Sequence, residues 1–322
     1  MVQRDTLRPK DAVYPAGTIY MVVKTASQAM LEQLAAEHRL VLSRWRAVLL
    51  LRRATFALPP PKRRWQRLPQ HNEDLSTLLR QMRKRDEIQP VPGHPQLDMV
   101  TVPYARQEAL DEREVLFEVH PYAVISHLSA LVFHGLAMDR PNRLTVTVSR
   151  DTTGGLLPGG TSPTDWEGML LPPPSRPAKV HGYPVTWKLV RPEYFFGHGD
   201  YQPLGFPVRY TSPERTLIDG LTEPELCGGL DTVLQAWALA RHTLNLDILV
   251  YQVERMGVSI LRQRVGFILD HLELFHPHLE GWRSSSKRGG SSKLVAARPF
   301  ASTYDERWNL SINAPIDALQ GA

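Results

Sequence analysis

At 322 residues the chain exceeds the usual size of one domain, so two are expected. Its single cysteine, Cys227, excludes an intrachain disulfide and any cysteine-rich zinc site, and no apolar run approaches the roughly 18 residues that cross a bilayer. The net charge of +5 is unevenly spread: residues 1–90 hold 17 Lys and Arg against 8 Asp and Glu, a net of +9, whereas the remainder nets −4. Such asymmetry suggests a polyanion-binding module on a neutral or acidic body. Without an N-terminal charged-then-apolar signal, the expectation is a soluble, cytoplasmic protein with no membrane partner.

In chain order, YPAGTIYMVV within residues 1–24 reads as a strand or short hairpin. Thr25-Ala26-Ser27-Gln28 has the capping-box pattern ahead of an apolar stripe at Met30, Leu31, Leu34 and Ala35, which predicts a helix. Ser43 suits the cap of a second helix, although AVLLLRRATFAL reads equally as a buried strand. The prolines of LPPPKRRWQRLP, 58–69, forbid a regular element, so it reads as an extended basic connector.

The clearest N-terminal element is a helix from Asn72 to Glu87, capped by Asn72, with Leu75, Leu78, Leu79 and Met82 at helical spacing. Its other face gathers Ser76, Thr77, Arg80, Arg83 and Lys84, residue types suited to phosphate oxygens and base edges. Two strands, 88–91 and 99–102, flank PGHPQLD as a hairpin. Helices, then a basic amphipathic helix, then a hairpin make a winged helix-turn-helix over residues 1–105. In that reading Arg80, Arg83 and Lys84 bind phosphates, Ser76 and Thr77 approach bases, and Lys62, Arg63 and Arg64 enter a minor groove or track the backbone of double-stranded DNA.

A charged helix over 108–118 leads into a second domain, 106–322. Ser126 suits the cap of a short helix that Gly135 ends, and Leu144–Val148 follows as a strand. The Gly-, Thr- and Pro-rich segment Asp151 to Asp165 reads as a mobile surface loop. Lys179–Val190, with Gly182 inside it, suggests a hairpin, and Val208–Thr211 another strand, giving a small, mostly antiparallel sheet. In TSPERTLIDGL, Ser212 and Pro213 open a buried helix on which Arg215 and Asp219 stand one turn apart. Three helical stripes follow: Leu230 to Trp237, Leu246 to Val253 (ended by Gly257) and Leu261 to Leu272. SSSKRGGSS, 284–292, is flexible by composition. The alternating Trp308, Leu310 and Ile312 predict a strand returning to the sheet. The fold class is therefore α+β: a winged helix followed by a small sheet and a helical bundle.

His120, His127 and His134 are seven apart, and His271, His276 and His278 crowd the end of a helix, but neither HExxH nor CxxC occurs. Packing and capping account for these histidines, and no metal site, cofactor or catalytic residue is predicted. GxSxG, GxxxxGK[ST] and GxGxxG after a strand are absent as well. Cys227 has no neighbouring His or Lys to lower its pKa, so its role reads as structural.

Four blocks together resemble the AbiEi family of bacterial antitoxins: HLSALVFHGLAMDRPNRLTVTV (127–148), YTSPERTLIDGLTEPELCGGL (210–230), VSILRQRVGFILDHL (258–272) and DERWNLSIN (305–313). The resemblance marks Ser129, His134, Gly135, Arg215 and Asp219 as the antitoxin-domain motif. It implies a non-enzymatic member of a type IV toxin–antitoxin pair. An N-terminal winged helix would bind repeats at its own promoter, and a C-terminal domain would counter a nucleotidyltransferase-like toxin without a stable complex. A metal-dependent nucleic-acid-processing enzyme using the histidine clusters is the alternative.

Overall fold

The computed structural model describes residues 23–70, 75–101, 109–138, 141–286 and 292–319. The strand expected within 1–24 and the capping position Asn72 fall largely or wholly outside them. Helix α1, Ala26–Ala36, opens as its sequence requires: Thr25 Oγ1 accepts from Gln28 N, and the Gln28 side chain accepts from Thr25 N at 3.0 Å. Of the two readings of the next stretch the helix holds and the strand does not: AVLLLRRATFAL falls on helix α2, Arg44–Ala57, which Ser43 caps through Arg46 N, and the strand here, β1, Val41–Ser43, precedes it. Helix α2 buries residues around most of its circumference, including Arg46 and Arg52, and this hides its period.

Helix α3, Ser76–Lys84, buries Leu79 and Met82 and has Leu75 at its cap position without a side-chain cap. Strands β2, Ile88–Val91, and β3, His94–Val100, form the hairpin, and β3 lies central in an antiparallel sheet of order β1-β3-β2. Met30, Leu34, Val48, Leu79, Met82 and Ile88 meet in one cluster beneath it.

Helix α4, Glu112–Val119, capped by Asp111, joins this part to the rest with buried carboxylates. Glu114 Oε1 accepts from the backbone N–H groups of Leu40 (2.7 Å) and Val41 (2.8 Å), which feed the outer strand of the sheet. Glu118 accepts from Ser43 Oγ at 2.6 Å and pairs with Arg46 and Arg39.

The second sheet has six strands: β4 Val124–Ile125, β5 Leu144–Ser149, β6 Lys179–Val180, β7 Tyr183–Val190, β8 His198–Tyr201 and β9 Val208–Thr211. Their order is β6-β7-β5-β4-β9-β8. Three pairings are antiparallel and two parallel, and the longest ladder, β5 with β7, is parallel, so the sheet is mixed. Helix α5, His127–Phe133, lies between β4 and β5. Ser126 occupies its cap position but makes no capping bond, because its Oγ is held by His127 Nδ1 (2.8 Å) and Thr147 Oγ1 (2.9 Å).

The segment read as a mobile loop lies against α2. Trp166 is buried with its ring 6.1 Å from that of Trp45, and Asp165 takes both Nε and Nη2 of Arg53 at 2.8 Å. Gly and Pro content signalled irregular backbone, and Asp165 together with Trp166, just beyond the segment, supplies contacts that pin it down.

Helices α6 Pro213–Thr222, α7 Leu230–Ala240, α8 Leu246–Met256, α9 Ser259–His271 and α10 His278–Ser286 bury Leu217, Ile218, Trp237, Val253 and Ile268 in a common core. Of the segment expected to be flexible, Ser284–Ser286 ends α10, Ser292 begins β10, and 287–291 are not described. The C-terminal strand does not return to the main sheet. Strand β12, Leu310–Ser311, lies between β10, Ser292–Lys293, and β11, Tyr304–Asp305, in a separate small sheet. It is held there because Trp308, wholly buried, fills the space over Gly266 and donates from Nε1 to Asp270 at 2.8 Å.

Candidate nucleic-acid interface

The exposed side of α3 carries uncommitted cations. Thr77, Arg80, Gln81 and Lys84 point away from Leu79 and Met82, and Ser76 is half-buried at the first turn. Among the described residues neither Arg80 nor Lys84 has an acidic partner or a hydrogen bond from its side chain, an arrangement that leaves both charges available to a polyanion.

Arg83 is different. Its Nε donates to Asp98 Oδ1 at 2.7 Å and its Nη2 to Oδ2 at 2.9 Å, a bidentate pair that ties α3 to β3. Asp98 is buried, and its hydrogen bonds raise the guanidinium pKa further. Arg83 therefore sets the angle between helix and hairpin, a role that helical spacing alone does not show. The signal was available in Asp98, the sole acid of a hairpin facing a basic helix.

In the connector, Lys62 and Arg64 are exposed, whereas Arg63 is half-buried with Nε and Nη1 shut from solvent and unpartnered. Residues 62–64 run beside Lys24: Lys24 N donates to Lys62 O and Arg64 N to Lys24 O, both at 3.0 Å. The hairpin packs at its tip against the body. His94 Nε2 accepts from His181 N at 3.3 Å, and burial lowers the pKa of His94, in keeping with a neutral ring that can accept.

The residues marked by family resemblance lie around the α5–β9–α6 junction. Ser129 Oγ accepts from Thr145 N at 3.2 Å; His134 Nε2 donates to Thr211 O at 2.7 Å; and Gly135 adopts the left-handed conformation, φ +71°, that ends α5. Arg215 donates from Nε to Asp219 Oδ1 at 2.8 Å and from Nη1 to the carbonyls of Tyr194 (2.8 Å) and Phe196 (2.9 Å). Both partners are nearly solvent-free, so the pair fastens α6 to the chain entering β8 and presents no open surface. A polar chain runs nearby: Thr147, Ser126 and His127 in hydrogen-bonded series, then His127 Nε2 to Glu223 at 3.4 Å, and Glu223 to Lys188. The His127 and Lys188 contacts hold the Glu223 carboxyl down at about 2.

The histidines of the first group separate, whereas His276 and His278 stay adjacent, with ring centroids 5.1 Å apart. His120 stacks on Trp187 at 5.2 Å, His127 bonds Ser126, and His134 bonds Thr211; His271 donates from Nδ1 to Phe267 O at 2.9 Å. Among the described residues no group of three or more His, Cys, Asp or Glu is placed to hold a metal ion, and no helix is long and apolar enough to cross a membrane. Cys227 is buried, and burial pushes its thiol pKa up.

The fold is similar to the crystal structure of the RV2827C protein from Mycobacterium tuberculosis, with a TM-score of 0.51 at 11% sequence identity. The match covers 92% of this chain and 93% of that one. At that identity the likeness concerns the fold alone. No protein-family model matches the chain, and no curated protein does.

Proposed function

We propose that the chain is a cytoplasmic, non-enzymatic DNA-binding autorepressor and the antitoxin of a type IV pair. On this reading residues 1–105 form a winged helix-turn-helix and 106–322 the antitoxin domain. The observation that carries the DNA half is the face of α3, where Arg80 and Lys84 stand unpaired beside Thr77, opposite the buried Leu79 and Met82. The order α1, β1, α2, α3, β2, β3 with sheet order β1-β3-β2 supports it, because that is the arrangement in which the third helix of a winged helix enters a major groove. The antitoxin half rests on the four sequence blocks, whose marked residues Ser129, His134, Gly135, Arg215 and Asp219 support the α5–α6 junction.

Footprinting of the full chain on the DNA upstream of its own coding sequence tests the first half. Protection of a repeated element is expected, and Arg80→Ala with Lys84→Ala should remove it. Uniform cleavage at near-physiological salt would refute the reading. Co-expression with a neighbouring nucleotidyltransferase tests the second half, where growth rescue should survive the same two substitutions.

A further inference from the structure

We infer that the connector, residues 58–69, takes the place of the hairpin as the second contact to DNA phosphates. The inference rests on the DNA-binding reading above and goes beyond it by setting the connector, whose cations the sequence already pointed to, in place of the hairpin and by leaving Arg63 out of the contact.

The hairpin is poorly equipped for a polyanion. From Ile88 to Thr101 it has no Lys or Arg. Its one acid, Asp98, is bound to Arg83, and its inward residues are committed elsewhere: Val91 and Leu97 pack in a cluster with Val180, and His94 accepts from His181 N. What remains exposed is Gln89, Pro90, Pro92, Gly93, Pro95 and Gln96, which offer a phosphate no positive charge.

The connector has the opposite character. It is fastened at three points: the paired backbone bonds to Lys24, Trp65 Nε1 donating to Thr55 Oγ1 at 2.8 Å, and Arg52 Nη1 donating to Pro69 O at 3.2 Å. Pro59, Pro60 and Pro61 restrict the backbone at its start. The side chains then alternate, with Arg63 and Trp65 turned inward and Lys62, Arg64 and Gln66 outward. Lys62 and Arg64 enter no ion pair among the described residues. A pre-ordered cationic segment loses little entropy when it meets a phosphate backbone.

Its place in the fold fits as well. Lys24, which the connector flanks, leads into α1. Ser27, in the first turn of α1, accepts from Arg85 Nη2 at 3.2 Å, one residue beyond the end of α3. The connector and the C-terminal end of α3 thus meet the same end of α1, so a duplex on α3 would have Lys62 and Arg64 on an adjoining element.

The experiment uses the full chain and a generic DNA duplex of about three helical turns. One variant carries Lys62→Ala and Arg64→Ala, the other Gln89→Glu and Gln96→Glu; all four side chains are exposed. Binding is titrated over a range of salt. The connector variant should show a slope of log K against log salt shallower by about 1.8, two phosphates at about 0.9 each. The hairpin variant should bind as the unaltered chain does. A connector variant with the original slope, or a hairpin variant with weakened binding, overturns the inference. Failure of the unaltered chain to bind any duplex would instead refute the DNA-binding reading itself.

Discussion

Arg83 and Arg80 are one helical turn apart on α3, yet replacing each with alanine should have opposite kinds of effect. Arg83→Ala leaves the Asp98 carboxylate, only 3% exposed, without its bidentate partner. Removing one member of a buried pair costs about 3–5 kcal/mol, but the Arg83 side chain is 39% exposed and solvent can reach that end, so about 2 kcal/mol is expected. Arg80→Ala removes no described contact and should stay within about 0.5 kcal/mol. Urea denaturation of both variants gives the comparison, with duplex binding measured alongside. Arg80→Ala should make the salt slope shallower by about 0.9 at unchanged stability. Combining Arg83→Ala with Asp98→Asn should recover about 1 kcal/mol, because the stranded charge is gone. If Arg83→Ala were as stable as Arg80→Ala, the pair would not be holding helix and hairpin together.

Gly266→Ala should destabilise the chain by at least about 2 kcal/mol in the same assay, since the new methyl would stand 2.1–2.6 Å from the buried Trp308 ring. Partial recovery with Trp308→Leu would assign the loss to that clash, and a neutral Gly266→Ala would refute it. Stability should also fall on acidification from pH 6.5 to 4. Burial lowers His120 and His198 to about 4, so the stability they contribute is present above 6.5 and lost as pH falls through 4. Burial raises Glu114 to about 7, so its contribution is present below 4.5 and lost as pH rises through 7, which offsets one histidine over much of the same range. Each group carries at most about 3 kcal/mol, and the net should be a loss of about that size. Glu114→Gln should steepen the fall, and a melting temperature that rises on acidification would contradict the balance.

Where local chemistry decides structure, the sequence was a good guide. The Thr25 capping box, the Ser212–Pro213 helix start, Gly257 as a left-handed stop and the stripes of α7, α8 and α9 all occupy the expected places. Where a partner distant in sequence decides, spacing was silent. Ser126 has the right residue type for a cap, but Thr147 and His127 take its hydroxyl. Arg83 looks like Arg80 until β3 brings Asp98 beneath it. Strand β8 was missed because HGDY has no apolar alternation, and its place is set by pairing with β9. The C-terminal strand had the right period, but period cannot choose between two sheets; the space over Gly266 for Trp308 did.

The guanidinium groups of Arg39, Arg46 and Arg53 find acids on both sides of residue 105: Glu37 before it, Glu118 and Asp165 after it. The backbone of β1 likewise rests on Glu114. A recombination event that joined residues 1–105 to a different body would carry three arginines away from half their counter-charges and expose strand N–H groups that a carboxylate now occupies. Gene shuffling, which exchanges domains freely where only a linker intervenes, would be penalised here. The two halves of this chain should therefore descend together, and changes at Glu114, Glu118 or Asp165 should be tolerated only alongside changes in the first hundred residues.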